Sequence, residues 1–457
     1  MSEAATDFAH DVDWAAFATA LGDVPVLTEP PLVKQKSRDF YWYSPILKAQ
    51  LRKKFADIVA VPRTEADVVK VAATCAQWRV PLTVRGAGTG NYGQAMPLFG
   101  GVILDMTALD RIKWLKDGVV AVEAGKKLID LEGETRPQGW ELRMYGSTRR
   151  TATIGGFIAG GSGGIGSIMY GVLADRGAIN ALRLVTCEEE PRIVELRGDE
   201  VMKASHAYGC NGIITELEIP LAPAWPWLDC IAVFDDFMAS ARFCQALGEG
   251  DGIVKREIAA VEWPLPQYFK PIRDVLPDGK HAVLLMIAAP SLDAYAALLA
   301  EHGGTEVYRK TEAEVEESGL PPIYEYTWNH TTLQVLKTDR TITYLQTLFA
   351  PGDNLEKVAH MREVFGEEVP LHLEFVRLHG RIGCFGLQIV RYTTPERLDE
   401  IIRYHDDNGC PVFNPHTYVL EDGGMKEIDY GQVDLKREAD PHGLLNPGKM
   451  RGWEEAR

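Results

Sequence analysis

Thr153-Ile154-Gly155-Gly156-Phe157-Ile158-Ala159-Gly160-Gly161-Ser162-Gly163-Gly164-Ile165-Gly166 places seven glycines in fourteen positions. A packed domain accepts that loss of backbone entropy only where main chain must approach something closely. An earlier stretch, Arg85-Gly86-Ala87-Gly88-Thr89-Gly90-Asn91-Tyr92-Gly93, makes the same demand. It leaves a short strand, Leu82-Thr83-Val84-Arg85, and its Gly88, Gly90 and Gly93 match GxGxxG. A Rossmann turn must run from its strand into a helix whose N-terminus meets a pyrophosphate. Here Gln94-Ala95-Met96-Pro97 and Gly100-Gly101 follow and leave no room for that helix. The acidic residue that should follow about 20 positions on is also misplaced, with Asp105 early and Asp110 beyond the next strand. A nicotinamide-dependent dehydrogenase is therefore disfavoured. Successive glycines with φ > 0 form instead a concave nest of N–H groups, which suits a diphosphate.

The chain of 457 residues has room for two or three domains. It is 46% hydrophobic and 25% charged, the balance of an ordinary globular protein. Its 48 basic against 65 acidic side chains give a net charge of -17. Such a surface repels phosphate backbones and anionic membranes, so nucleic acid is not expected as a partner. The longest apolar run, Ala282 to Ala289, is far too short for a membrane span and reads as a buried strand. The opening Met1 to Asp7 lacks the basic start and apolar core of a signal peptide. Seven scattered cysteines form no CxxC pair, so buried free thiols in a reducing cytoplasm are expected and no metal is.

The pattern implies an α+β fold. Strands are expected at 58–62, 82–85, 101–105, 119–123, 182–187 and 213–221, with helices at 65–79 and near 127–139. Ala222-Pro223-Ala224-Trp225-Pro226-Trp227 reads as a linker, because two prolines interrupt any regular element. Beyond it, strands near 228–234, 281–288, 323–330, 371–379 and 383–391 suggest a second unit with an open antiparallel sheet. Residues 1–222, 223–410 and 411–457 are the expected divisions.

The order RGAGT, TIGGFIAGG, YGVLAD, GIIT and DPHGLLNPGK resembles the FAD-linked oxidase superfamily, the group of vanillyl-alcohol oxidase and p-cresol methylhydroxylase. The likeness covers about residues 50–221 and 435–450. It implies a flavin domain of the p-cresol methylhydroxylase type, an α+β cap over the flavin, and a C-terminal segment that returns to the flavin domain. It implies a flavoprotein oxidoreductase, commonly a homodimer, with a small-molecule substrate and oxygen, a quinone or a cytochrome as electron acceptor. By the same likeness Arg85, Gly86, Ala87, Gly88, Thr89, Gly90 and Gly93 would hold the FAD pyrophosphate. Gly146, Ser147, Ile154, Gly155, Gly156 and Ala159 would line the second loop. Ile213 and Ile214 would lie near the adenine, and Asn446 and Lys449 in the returning segment.

Departures from the family narrow the expectation. Thr89 stands where histidyl-linked members carry histidine, and no cysteine lies between Cys75 and Cys187, so non-covalent FAD is expected. The GDGN segment of the hydroxy-acid dehydrogenases is missing from His372-Leu373-Glu374-Phe375-Val376-Arg377-Leu378-His379, although His372 and Glu374 share a strand face. The histidine run of the ether-forming synthases is missing too. If 323–330 is a strand, Tyr324, Tyr326, Trp328 and His330 share a face suited to a flat substrate. His330, His379 and His416 are the candidate bases, and Arg377 and Tyr326 the candidate partners for a developing anion. The reading is oxidation of an alcohol-type C–H, with an aromatic or phenolic substrate first. A 2-hydroxy acid and a flavin protein without redox turnover are the alternatives.

Overall fold

The computed structural model describes residues 8–9 and 11–456; Met1 to Asp7, read above as no leader, lies outside the described residues. Among the described residues no helix is long and apolar enough to cross a membrane.

The first sheet has the order Val26–Leu27, Ile58–Ala60, Val102–Asp105, Leu82–Arg85, and its inner pairs are parallel. Glu65–Trp78 forms the crossover helix. Thr64 and Asp67 close a capping box at its start, Val68, Val71, Ala72 and Cys75 are buried along one side, and Arg79 ends it at φ 55°. The returning C-terminal segment joins this sheet at Leu82. The Leu82 N–H donates to the Leu444 carbonyl and the Asn446 N–H to the Leu82 carbonyl, both at 2.8 Å. The second sheet is antiparallel, in the order Ile112–Lys116, Val119–Glu123, Ile213–Pro223, Ala181–Val185, Ile193–Arg197, with Trp140–Leu142 on the far end of Ile213–Pro223.

The third sheet carries seven antiparallel strands in the order Thr305–Thr311, Trp227–Phe234, His281–Ala288, Lys255–Val261, His372–Leu378, Arg381–Gly386, Thr347–Phe349. Its interior strand His281–Ala288 explains the unbroken apolar run from Ala282. Ala282, Leu284, Met286 and Ala288 join the core shared with the second sheet. Val283, Leu285 and Ile287 join the core under helices Phe237–Glu249, Leu292–Glu301 and Asn354–Phe365. Both faces are buried, so the usual polar alternation is absent.

The expected strand at 323–330 is a correction. Ile323–Tyr326 is a short 3-10 turn and Asn329–Leu336 an α-helix, with Trp328 at φ 51° between them. Pro321-Pro322 opens the segment and the left-handed Trp328 breaks it, so aromatic alternation there has no sheet to face. The stretch 383–391 is likewise two strands, Arg381–Gly386 and Ile389–Arg391. The stretch 154–160, read as loop, is a helix capped by Thr153, whose hydroxyl accepts the Gly156 N–H.

One buried ionic cluster joins the third sheet to the rest. Arg256, fully buried, donates from Nη2 to Glu132 Oε1 (2.7 Å) and to the Leu142 carbonyl (2.6 Å). Its guanidinium lies 4.5 Å from the Tyr145 ring centroid, and Arg149 reaches the second Glu132 oxygen at 2.6 Å. Burial alone would raise the Glu132 carboxyl, but Arg256 and Arg149 hold it below its ordinary range. Removing one partner of a buried pair leaves an uncompensated charge. Arg256→Met should therefore destabilise the protein by about 3–5 kcal/mol in urea unfolding, and a loss under about 1 kcal/mol would contradict this account.

Candidate active site

A cavity of about 590 Å3 lies where the glycine loops, the third sheet and the C-terminal segment meet. That size and its mixed lining are those of a ligand site. One side is backbone. Residues Arg85 to Asn91, Gly146 to Thr148 and Ala152 to Gly163 border it, apart from Ile154 and Ile158. Gly86 is pressed against the start of the helix Ile154–Gly160, where a Cβ would sit 2.1 Å from Thr153 Oγ1. A Cβ at Gly155 would sit 2.6 Å from that of Ala124, and Gly88 takes φ 68°. Glycine is required at each for packing or conformation.

Arg85, expected beside the pyrophosphate, lines the cavity and spends both terminal nitrogens on main-chain oxygens. Its Nη1 donates to the carbonyls of Lys36 (2.8 Å) and Arg38 (2.5 Å), and its Nη2 to that of Ala87 (2.9 Å). The guanidinium thus braces the loop from behind. Among the described residues the N–H groups of Gly86 to Gly90 bond to no protein acceptor. Six buried polar atoms of residues at the cavity wall also lack a hydrogen-bond partner: Arg85 Nε, Asn91 Nδ2, Ser205 Oγ, Tyr208 OH, His330 Nδ1 and Gln432 Oε1. Buried polar atoms are nearly always paired, so this set fits a ligand with many acceptors and donors along its length. A dinucleotide with a diphosphate is such a ligand.

Of the other residues expected at the cofactor, Thr89, Gly90, Gly146, Ser147, Gly156, Ala159 and Ile214 line the cavity. Gly93, Ile154 and Ile213 do not; Ile154 and Ile213 are buried in the cores beneath it. Asn446 and Lys449 also stand one layer back. Asn446 Nδ2 donates to the carbonyls of Gln94 (2.8 Å) and Tyr208 (2.7 Å), and Lys449 Nζ to those of Gln94 (2.7 Å) and Met96 (2.6 Å). They pin the turn after the first glycine loop. Burial pushes the Lys449 ammonium down to about 7, against the opposing pull of Asp39.

The other side is made of side chains: Trp328, Asn329, His330, Gln346, Leu348, Leu378, Phe385, Leu387 and Phe413. Tyr92 donates to Gln346, whose amide reaches Asn329 Oδ1 at 3.4 Å. His330 Nδ1 lies 3.0 Å from Glu325 Oε2. The two groups stand at ion-pair distance without a hydrogen bond between them.

The remaining candidate catalytic residues do not line the cavity, and each is a correction. Arg377 pairs with Asp251 Oδ1 at 2.5 Å, on the outer side of its hairpin. The His379 side chain is 94% exposed. Tyr326 is fully buried against Phe269, because its segment is a turn and not a strand. His416 is buried between Ser44 Oγ and the Tyr344 carbonyl, both at 2.9 Å, and burial lowers its pKa to about 4, so it stays a neutral bracing group. Sequence reading missed Asn329, Gln346, Tyr92 and Phe385. Tyr92 and Gln346 meet across the cavity from distant segments, and no periodicity encodes that.

Residues 56–194 match the model of a family described as an FAD binding domain. The D-lactate dehydrogenase of Anaerostipes hadrus is 32% identical over 213 residues, 42% of this chain and 43% of that protein. The glycolate oxidase subunit GlcD of Bacillus subtilis is 26% identical over 86% of this chain and 88% of its own length. The matched part spans under half of the first curated relatives, 43% of one and 12% of the next. A solved alkyldihydroxyacetonephosphate synthase shares the fold, with TM-score 0.71 at 14% identity over 97% of this chain and 86% of that one. Gly86→Val, whose branches cannot fit beside Thr153, should weaken FAD binding by about tenfold or more, or about 1.4 kcal/mol, in a fluorescence titration of the apoprotein; unchanged affinity would refute the packing argument. The glycine loops, the unpaired donors along the cavity and the matched domain agree: the chain carries an FAD-binding domain similar to those of the FAD-linked oxidases and dehydrogenases, and its cofactor is FAD.

Proposed function

We propose that the protein is an FAD-dependent oxidoreductase that removes hydride from the CH–OH carbon of a small substrate bound under the third sheet. The observation that carries this reading is the two-sided cavity: backbone donors on one wall, aromatic side chains and one histidine beside a carboxylate on the other. Bound FAD supplies the hydride acceptor. The chain's own residues do the rest. His330 Nε2 takes the hydroxyl proton, and the Glu325 carboxylate stabilises the imidazolium that results. Asn329 and Gln346 offer amide groups to the substrate oxygen. Trp328, Phe385 and Phe413 exclude water and favour a flat, apolar body. Residues 1–222 with 411–457 would hold the cofactor, and 223–410 would cover the substrate.

A ring-bearing alcohol fits the lining best, because Arg85 is the only arginine or lysine at the cavity wall among the described residues and its guanidinium is already committed to three carbonyls. The similarity to a D-lactate dehydrogenase and a glycolate oxidase subunit supports a second reading, a 2-hydroxy acid. Anaerobic mixing with each class decides between them: the flavin absorbance should bleach with an aromatic alcohol, and bleaching only with 2-hydroxy acids would favour the second. Failure with every donor would point to non-redox use of the flavin. His330→Gln should slow the bleaching by about 100-fold or more while FAD stays bound, and an unchanged rate would remove His330 as the base. The FAD is proposed to be non-covalent, since no cysteine lines the cavity among the described residues. Acid precipitation should release the yellow colour to the supernatant, and colour kept in the pellet would refute this.

A further inference from the structure

Behind Trp328 lies a buried acidic group to which the chemistry above gives no role. Glu257 on the strand Lys255–Val261 and Glu374 on the neighbouring strand His372–Leu378 are both buried, with carboxyls close enough to share a hydrogen bond. His372, also buried, approaches Glu374 Oε1 with Nε2 at 2.6 Å. The same Glu374 oxygen accepts the backbone N–H of Trp328 at 2.5 Å, and the Trp328 indole N–H points to Glu257 Oε2 at 3.4 Å. Burial raises both carboxyls, Glu374 to about 7, so the pair holds a proton near neutrality. Burial lowers His372 to about 3, so it stays neutral and donates.

Trp328 needs such a hold. Its φ of 51° with ψ of -142° is a conformation that residues with a Cβ adopt at a cost and keep only when their surroundings impose it. It also begins the helix Asn329–Leu336 without any side-chain cap. Trp328, Asn329 and His330 are consecutive, and all three line the cavity. The conformation of one residue therefore sets the direction of the other two.

We propose that Glu374, held in place by His372 and Glu257, is a positioning residue that locks Trp328 in its left-handed conformation and so aims Asn329 and His330 into the cavity. The proposal rests on the reading that this cavity holds the flavin and substrate. Its structural part stands apart from the identity of the substrate.

The test uses the FAD-loaded full chain and the variants Glu374→Leu, Glu374→Gln, Trp328→Gly and the Glu374→Leu/Trp328→Gly pair. The readouts are the visible circular dichroism of the bound flavin and the rate of anaerobic flavin reduction. Glu374→Leu should change the dichroism and slow reduction by about 10–100-fold. FAD affinity should be unchanged. Glu374→Gln should restore both readouts, since its amide oxygen still accepts the Trp328 N–H. In the Trp328→Gly background, where glycine adopts the conformation freely, Glu374→Leu should have little further effect. Unaltered dichroism in Glu374→Leu overturns the proposal, as does a Gln variant as impaired as the Leu one, or a full Leu effect in the glycine background. If Glu374→Leu fails to fold, the double variant should still fold, and its failure also overturns the proposal. If no donor reduces the flavin, the functional reading falls, and the dichroism series still decides this one.

Discussion

The Arg256–Glu132 pair fixes how the two halves of the molecule meet. A guanidinium and a carboxylate taken out of water hold only with good geometry and further partners. Arg256 has them in the Leu142 carbonyl and the Tyr145 face, and Glu132 has a second cation in Arg149. The Arg256 carbonyl also accepts the Gly166 N–H at 2.8 Å, and Tyr145 bridges to Ile165 in the same region. One side chain on the third sheet thus sets the position of Tyr145, next to Gly146 and Ser147 of the cavity wall. A sheet displaced by one residue would place the charges against apolar surface, so the cluster selects one docking register.

The cavity divides its work between main chain and side chains. The glycine-rich wall presents N–H groups, and the basic side chains near it turn toward carbonyls. Arg85, Asn446 and Lys449 all bond to main-chain oxygens of neighbouring loops. They make a glycine-rich backbone rigid enough to present donors at fixed positions, which flexible chain alone would not do. The opposite wall gains specificity from side chains that come from several separate segments.

Much of the glycine-rich wall was legible in the sequence because its constraint is local. Gly86 and Gly155 have no room for a Cβ, and that requirement appears in the text as glycine. The crossover helix was legible for the same reason, in the Thr64–Asp67 cap and the spacing of Val68, Val71, Ala72 and Cys75. The opposite, side-chain wall was not. Tyr326 and Trp328 look like alternating strand residues, yet their backbone is set by Pro321-Pro322 and by a carboxylate on another strand. Arg377 carried a plausible charge, but its direction depends on Asp251, in a loop remote in sequence. His416 has the residue type of a base and the surroundings of a brace. Residue type suggests chemistry, and only long-range packing decides which side chains face the cavity.

The edge of the first sheet has a consequence for biosynthesis. Leu82 finds its hydrogen-bond partners in Leu444 and Asn446, so the whole third sheet is translated between one side of that edge and the other. During vectorial synthesis the first sheet emerges first with an open strand edge and an unpinned glycine turn. Closing that edge demands a contact of very large sequence separation, the kind that slows folding. That edge therefore closes only after residues 83–443 have been made and Leu444 and Asn446 have reached Leu82.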